Sequence, residues 1–352
     1  MRVAGPETTD AMERGGADAR LPARERERAA HIRGRLAAVA ETGSSGRWTV
    51  RGPVYRGTYS QVYRASMEDG RGDLAVKICL VPETDRASAD AARDQTAVAI
   101  RARDAMGTDG AFSVPETFRW LADEGMVVSE WIEGASATTC LLDRRVSWPE
   151  KIDAVGRCGA WLRRFHDSRR LDAGPIDLDR MLGQVDGMIE AVPARRRPAV
   201  LRAAVAALHD RSAALRDLAL PRSWTHGDFK ADNLLLAGDR TYGLDLNALY
   251  DNVVLLDICQ FVTHLDLLAH SPRGWRLFRR RGALIDAFLE GYGGDPDLLP
   301  RRALAWFRLQ VAVRQWLARL SAEDRSPSAR YLSGCYRQLA RDGLRETPPG
   351  DA

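Results

Sequence analysis

Residues that could bind a metal ion and accept a proton are concentrated at positions 224–236 and shortly after. Asp228 and Asn233 lie five positions apart, a spacing that suits a tight loop, and Asp245 follows about a dozen residues later. Transfer of a γ-phosphoryl group requires a carboxylate to orient the attacking hydroxyl, oxygen ligands for Mg²⁺ and a cation on the phosphates. These residues, together with Lys230, offer all three, so the stretch predicts phosphoryl-transfer chemistry.

Two short strands are expected to position these side chains. The residue types predict a strand at 234–236, a turn at 237–240 and a second strand at 241–246. A hairpin of this kind would bring Asp245 beside Asn233, giving one carboxylate and one amide oxygen of the type that Mg²⁺ prefers. An Asp and an Asn beside a turn often only bond their own backbone. The ordered set of motifs therefore carries the prediction, and no single residue does.

The order of these residues resembles a known group of enzymes. The tripeptide His-Gly-Asp at 226–228, Asn233 and the Asp245 that follows a strand look like the motifs of the aminoglycoside phosphotransferase and choline kinase group of kinase-like enzymes. The resemblance implies that Asp228 orients the acceptor hydroxyl and accepts its proton. It also implies that Asn233 and Asp245 hold Mg, with Lys230 beside the γ-phosphate.

The same resemblance implies a fold and its cofactors. We expect an α+β, protein-kinase-like bilobal fold, with an antiparallel sheet and one main helix in the N-lobe and a mostly helical C-lobe that carries a short catalytic hairpin. The phosphoryl donor would be ATP or GTP, used with Mg. The expected divisions are an N-terminal extension at 1–46, an N-lobe at 47–133, a C-lobe at 134–345 and a disordered tail at 346–352.

Composition limits the class of protein. The 352 residues are 45% hydrophobic, which is enough for a large core, and no run of eighteen apolar residues is present. The first residues are charged where a secretory segment would be apolar, so we expect a cytoplasmic protein without a membrane span. Five scattered cysteines without metal spacing predict reduced thiols. We expect no nucleic-acid partner, and the oligomeric state is left open.

Lysine is rare in this chain. Lys77, Lys151 and Lys230 are the only lysines beside 49 arginines. Lysine and arginine are not interchangeable where a compact point charge must lie against a phosphate. Two of the three lysines fall in kinase-like motifs, and this placement supports the resemblance independently.

The predicted N-lobe contains a nucleotide-binding hairpin and a lysine strand, with strands at 48–54, 60–66 and 73–80. Gly57, Ser60 and Val62 are similar to a glycine-rich loop, although only the middle glycine is present. Lys77 lies inside an apolar strand, where an unpaired ammonium group would be costly. Its expected partners are the α- and β-phosphates.

The helix predicted at 88–106 should supply an acid for Lys77 in this type of fold. The sequence departs from the family pattern here, because the available residues are Asp90, Asp94 and Gln95, with no Glu. We favour Asp94 as the partner. If Gln95 occupies the position instead, Lys77 loses its charge partner.

Strands at 112–120 and 125–132 are predicted to complete the first lobe. The second of these resembles the hinge of the family, in which main-chain atoms of Glu130 and Ile132 would bond the purine. By resemblance, the side chains that sandwich the base are Val62, Ala75 and Leu235.

The second lobe should be mostly helical from residue 148 onward. His166, at the end of a predicted central helix, is expected to be a packed structural histidine. Asp257 is expected to bond the backbone of the catalytic loop, by resemblance. Only eleven residues separate Asp245 from Asp257, too few for the activation segment of a protein kinase, which favours a small-molecule acceptor.

The two ends of the chain carry further predictions. Residues 1–22 are expected to be disordered, and a helix is predicted at 22–41 with Ile32 and Leu36 on one face. Residues 272–345 carry fifteen arginines against seven acids, a net charge of +8. This excess favours an anionic or sugar-like acceptor over a polycationic one, although a solvated arginine-rich face explains it equally well.

The leading hypothesis is therefore a kinase that phosphorylates a hydroxyl of a small molecule. The glycine-rich loop has only its middle glycine, and the helix predicted at 88–106 has no Glu to pair with Lys77. These two departures motivate an alternative, a nucleotide-binding pseudokinase or scaffold. An aminoglycoside resistance phosphotransferase is a third candidate, which differs in substrate and not in reaction.

Overall fold

The structure is a computed structural model that describes residues 22–40, 47–68, 70, 72–246, 249–294, 299–322 and 326–346. The described residues divide into two compact units. The first unit holds residues up to 134 together with 237–246, and the second holds 135–236 and the residues from 249 onward. Of the disorder predicted at 1–22 and at 346–352, residues 1–21 and 347–352 lie outside the described residues.

Numbered along the chain, the strands are β1 (Trp48–Arg56), β2 (Ser60–Met67), β3 (Asp73–Val81), β4 (Arg86–Ala87), β5 (Phe112–Ser113), β6 (Thr117–Phe118), β7 (Met126–Glu130), β8 (Ala135–Ser136), β9 (Leu171–Gly174), β10 (Leu220–Thr225), β11 (Leu234–Ala237), β12 (Arg240–Gly243) and β13 (Tyr250–Val253). In the first unit, six of these strands form one antiparallel sheet in the order β1-β2-β3-β7-β6, with β4 paired to β3, and β5 pairs in parallel with β12. The second unit holds a sheet in the order β13-β10-β9, and β8 pairs with β11.

Helices dominate the second unit. The helices of both units, numbered along the chain, are α1 (Ala23–Ala40), α2 (Ala89–Met106), α3 (Ala137–Leu142), α4 (Trp148–Asp167), α5 (Leu178–Ala191), α6 (Ala199–Ser212), α7 (Leu255–His270), α8 (Trp275–Phe278), α9 (Arg281–Tyr292), α10 (Arg301–Ser321) and α11 (Pro327–Arg345). A short 3-10 turn at Ala194–Arg196 separates α5 from α6.

The core of the first unit forms between α1 and the sheet. Ala29, Ile32 and Leu36 recur at helical spacing and are buried in one cluster with Val50 and Tyr63. The helix predicted at 22–41 is therefore confirmed, and its apolar face explains why it packs on the sheet.

One predicted strand of the first unit is wrong. The stretch 112–120 was expected to be a single strand, but it holds β5 and β6, with Pro115 between them. Proline has no N–H to donate to a ladder, which limits it to strand ends and edges. Phe112 pairs in parallel with β12, whereas Phe118 pairs with β7. The strand predicted at 241–246 is also shorter, because β12 ends at Gly243.

The second unit is organised around α4, which begins with a capping box between Ser147 and Glu150. This helix crosses α9 so closely that a Cβ on Gly159 would lie 2.1 Å from the carbonyl oxygen of Phe288. Glycine at this position permits the close approach of the two helices.

Within the ranges that the structure describes, no helix is both long enough and apolar enough to cross a membrane.

Candidate phosphotransfer site

In the first unit, Lys77 lies on β3 with its ammonium group in an ion pair with Asp245. Asp245 follows β12 and has φ +62°, a left-handed conformation that Asp adopts more readily than most residues. Asp94 does not contact Lys77 in this structure and is exposed on α2. The helix presents the neighbouring Gln95 to β3, where its Oε1 lies 3.7 Å from the Sγ of Cys79. The expected partner of Lys77 is therefore corrected to Asp245.

The register of the sheet places three predicted nucleotide-binding side chains on one face. Val62 of β2 lies directly opposite Lys77, and Ala75 lies two residues before Lys77 on β3. Because side chains alternate along a strand and opposite residues share a face, these three point to the same side of the sheet. At the end of the hairpin, the N–H of Gly57 donates to the carbonyl of Ser60 at 2.8 Å, which closes a tight loop.

The predicted hinge follows β7. The N–H of Glu130 donates to the carbonyl of Glu116 at 2.9 Å, and the Glu130 side chain accepts from the N–H of Glu116 at 2.8 Å. Arg103 donates to the same carboxylate at 3.3 Å. Glu130 is thus held at both its backbone and its side chain, and Ile132 follows it, partly exposed, at the end of the sheet.

In the second unit, the loop that carries Asp228 is held by a buried carboxylate. Asp257, at the start of α7, is fully buried with an exposed fraction of 0%. Its Oδ2 accepts from the N–H of His226 at 2.6 Å and its Oδ1 accepts from the N–H of Gly227 at 3.0 Å. The predicted role of Asp257 as a brace of the loop backbone is confirmed.

Gln260, one turn further along α7, holds the loop from its other end. Its Oε1 accepts from the N–H of Phe229 at 2.9 Å, and its Nε2 donates to the carbonyl of Gly227 at 2.8 Å. The sequence analysis missed this residue. Its position three residues after Asp257 places both side chains on one helix face, and that spacing is the signal that could have revealed it.

His166 supports the brace from α4. Its Nε2 lies 3.2 Å from Oδ2 of Asp257, and its Nδ1 lies 2.9 Å from the hydroxyl of Tyr292. The ring is buried beside Phe165 and contacts no exposed group of the loop. The prediction that it is a packed structural histidine is confirmed.

The side chains at the front of the loop are more accessible. The carboxylate of Asp228 is 47% exposed, and the ammonium group of Lys230 lies 2.5 Å from its Oδ2. The Nδ2 of Asn233 donates to the carbonyl of Asp228 at 2.9 Å. Leu235 follows on β11, opposite Ser136 of β8. The loop therefore presents one carboxylate and one ammonium group together on a fixed backbone.

The comparisons with known proteins agree with this geometry. The model of a family described as "Phosphotransferase enzyme family" matches residues 53–304. The chain belongs to this family. No curated protein sequence matches it.

Solved structures show the fold of this phosphotransferase. A choline/ethanolamine kinase family protein from Mesorhizobium loti is 21% identical, with 91% of this chain and 95% of that chain covered and a TM-score of 0.58. The choline kinase LicA from Streptococcus pneumoniae is 13% identical, with 90% of this chain and 100% of that chain covered and a TM-score of 0.57. A glucosamine kinase in complex with glucosamine, ADP and inorganic phosphate is 16% identical, with 86% of this chain and 94% of that chain covered and a TM-score of 0.52. The predicted α+β, kinase-like bilobal fold is confirmed.

Asn233 and Asp245 each carry an oxygen donor of the kind that a hard divalent cation prefers. The hydrogen bond of Asn233 uses its amide nitrogen, so its Oδ1 is the atom that would serve as a ligand. Asp245 offers a carboxylate, and Mg²⁺ typically takes one or two such protein oxygens together with substrate phosphates. Within the described ranges, no cluster of three or more His, Cys, Asp or Glu could hold a metal alone. That Asn233 and Asp245 share one ion stays a prediction.

A second residue that the sequence analysis missed is His264 on α7. Its Nε2 lies 3.7 Å from Oδ2 of Asp232 and 3.4 Å from the hydroxyl of Thr138. Burial lowers the pKa of His264, and the charge of Lys230 lowers it further, whereas the charges of Asp232 and Asp228 oppose this shift. His264 thus lies beside the loop that carries Asp228, and its pKa is lowered there.

Proposed function

We propose that the protein transfers the γ-phosphoryl group of ATP or GTP to a hydroxyl of a small molecule, with Mg. The observation that carries the proposal is the position of Asp228. Its carboxylate is exposed, while the backbone on either side is held by the buried Asp257 and by Gln260. A general base requires this combination of an accessible carboxylate and a fixed geometry.

Each residue of the site has a proposed role. Asp228 orients the acceptor hydroxyl and accepts its proton, and Lys230 lies beside the γ-phosphate. Lys77 holds the α- and β-phosphates. Asn233 and Asp245 hold Mg, which neutralises charge on the phosphates when bound. The further nucleotide contacts that we propose are Gly57, Ser60, Val62, Ala75, Leu235 and the main chain of Glu130 and Ile132.

The phosphates can reach Lys77 without loss of its present contact. An ammonium group has three donor hydrogens, and the ion pair with Asp245 uses one of them. The glucosamine kinase of similar fold, which is described in complex with ADP, supports a nucleoside phosphate as the donor. The small-molecule kinases among the structural neighbours support a small acceptor.

The test is phosphoryl transfer by the purified chain from radiolabelled ATP or GTP, with and without Mg²⁺, to a set of hydroxyl compounds. Asp228→Asn should lower kcat by about 100-fold or more, because general-base catalysis contributes about that factor. Asp210→Asn is the matched control, since Asp210 is exposed on α6 of the same unit. Equal turnover by Asp228→Asn and wild type would refute the assignment of the base.

A second candidate, a nucleotide-binding protein without transfer activity, is favoured by one observation. The helix α2 presents Gln95 and no acid to β3, so Lys77 lacks the helix-borne charge partner of an active kinase. Nucleotide binding measured by calorimetry, together with no phosphorylated product across the whole acceptor set, would select this candidate.

A further inference from the structure

A wide groove in the second unit lies outside the catalytic loop. Its volume is about 980 Å³, and it is bounded by the end of α3, the start of α4, the end of α7 and α8. Five arginines and one lysine line it, and no Asp or Glu of the described chain does so. The six cations are Arg144, Lys151, Arg273, Arg276, Arg279 and Arg280.

The groove arginines differ from the arginines next to them in sequence. Arg145 pairs with Asp143 at 3.0 Å, and Arg281 pairs with Asp266 at 3.4 Å. Both lie outside the groove lining. Among the residues that the structure describes, none of the five arginines in the groove forms a salt bridge. The five guanidinium groups of the groove are therefore not paired with acids of the described chain.

Lys151 adds a buried charge to the floor of the groove. Its exposed fraction is 9%, and its Nζ donates to the carbonyls of Leu141 at 2.7 Å and Asp143 at 2.8 Å. Burial lowers the pKa of Lys151, and the charge of Arg276 adds to that effect, against the charges of Cys140 and Asp143. An anion in the groove would stabilise this crowded set of cations.

Aromatic rings lie among the cations. Arg280 stacks over Trp148 at 5.0 Å, and Arg276 lies over Trp275 at 5.4 Å. Trp275 is 59% exposed and Phe278 is 44% exposed. Exposed rings beside charged guanidinium groups favour a ligand that carries an apolar or aromatic part next to its negative charge.

Two helices that bound the groove, α3 and α7, also lie beside the loop that carries Asp228. Thr138 of α3 and His264 of α7 contact each other, and His264 also lies 3.7 Å from Asp232 of the loop. The groove begins at Leu141 on α3 and at Ala269 on α7. At 1.5 Å per residue, Leu141 lies about 5 Å beyond Thr138 along α3, and Ala269 lies about 8 Å beyond His264 along α7. One extended small molecule could span that separation.

We propose that this groove binds an organic anion that carries phosphate, sulfonate or carboxylate groups beside an apolar or aromatic part. Two sources offer this chemistry. The anion can be one end of the phosphoryl acceptor, a reading that rests on the proposed function, or it can be a separate effector molecule. The six cations, the absence of lining acids in the described chain and the exposed rings support the site in both cases.

The first test is direct binding of pyrenetetrasulfonate, an aromatic polyanion, to the full chain, followed by fluorescence anisotropy. Arg273→Glu/Arg276→Glu should weaken binding by about tenfold or more at low salt, because charge reversal acts through weakly screened charges. The control Arg195→Glu/Arg341→Glu makes the same charge change at exposed arginines of the same unit outside the groove, and should change binding by less than about twofold at the same salt. Pyrophosphate should compete with the probe.

Three outcomes would overturn the proposal: no binding by wild type, equal weakening in the groove variant and the control, or binding only to phosphatidylglycerol vesicles. The last would indicate a lipid surface instead. Where an acceptor is phosphorylated, the concentration of that acceptor is varied in the presence of the probe. Inhibition that is competitive with the acceptor identifies the anion as part of the acceptor, and inhibition that is noncompetitive with it identifies a separate effector. If the protein phosphorylates nothing, the proposed function fails, and loss of probe binding in the groove variant alone still supports the site.

Discussion

Replacing Asp257 with Asn tests whether the buried brace positions the catalytic loop. The carboxylate accepts three hydrogen bonds, from the N–H groups of His226 and Gly227 and from His166. Asparagine has nearly the same shape, but one of its two terminal atoms is a donor. If the amide oxygen faces His226 and His166, the NH₂ group must face the N–H of Gly227. One main-chain hydrogen bond is then replaced by two opposed donors.

The size of the effect follows from that geometry. A hydrogen bond to a charged acceptor contributes about 1.5–3 kcal/mol, and an unsatisfied buried donor carries a cost of similar size. We expect Asp257→Asn to lower the free energy of unfolding by about 3 kcal/mol and the Tm by roughly 5–10 °C. Asp228 directly follows Gly227, so a shift of this backbone displaces the proposed base. A misplacement of about 1 Å can cost about 100-fold in rate.

The assay combines thermal unfolding with phosphoryl-transfer kinetics at a temperature where the variant stays folded. We expect kcat to fall while KM for the nucleotide changes little, because Asp257 contacts the loop that carries Asp228, whereas Lys77, the proposed contact of the α- and β-phosphates, is held on β3 of the first unit. Asp286→Asn, an exposed residue on α9, is the matched control. Unchanged Tm would refute the energetic argument. A lowered Tm with unchanged kcat would show that the brace stabilises the fold without positioning the base.

Three further outcomes are expected. Gly159→Ala should lower the free energy of unfolding by about 2 kcal/mol or more, because the added Cβ would meet the carbonyl of Phe288. Gly183→Ala, whose Cβ would have nothing within 4 Å, should raise it by up to about 1 kcal/mol. Equal shifts of Tm in the two variants, measured by thermal unfolding, would contradict this reasoning. Because the pKa of His264 is lowered from 6.5, the unfolded chain binds the proton first, and stability is lost as pH falls below 6.5. His264→Gln should therefore lose less Tm than wild type between about pH 7.5 and 5.5. Lys77→Met should weaken ADP binding by about tenfold or more in calorimetry, because a charge-assisted contact to the phosphates is removed; unchanged affinity would count against its role.

Local signals predicted the elements well because their causes lie within a few residues. The capping box between Ser147 and Glu150 marks the start of α4, and the helical spacing of Ile32 and Leu36 predicts the buried face of α1. The first two features need no knowledge of distant parts of the chain. The brace by Asp257 was also predicted, but by the resemblance to the family and not by a local signal.

Contacts between distant segments could not be predicted from the sequence. The two strands within 112–120 separate because β5 pairs with β12, more than a hundred residues later. The partner of Lys77 was expected on the next helix, but Asp245 lies 168 positions away. The rotation of α2 decides whether Asp94 or Gln95 faces the sheet, and one residue turns a helix by about 100°. Only the packed structure settles such a rotation.

The three lysines show how far composition can lead and where it stops. Their rarity in an arginine-rich chain indicated positions that require a compact ammonium group. Lys77 and Lys230 each contact a carboxylate of the proposed site, whereas Lys151 is buried against two main-chain carbonyls. Arginine can also donate to two main-chain carbonyls, as Arg211 does to Gly343 and Leu344. Rarity alone therefore does not assign a role, and only the contacts separate the lysines of the proposed phosphotransfer site from the one that lines the groove.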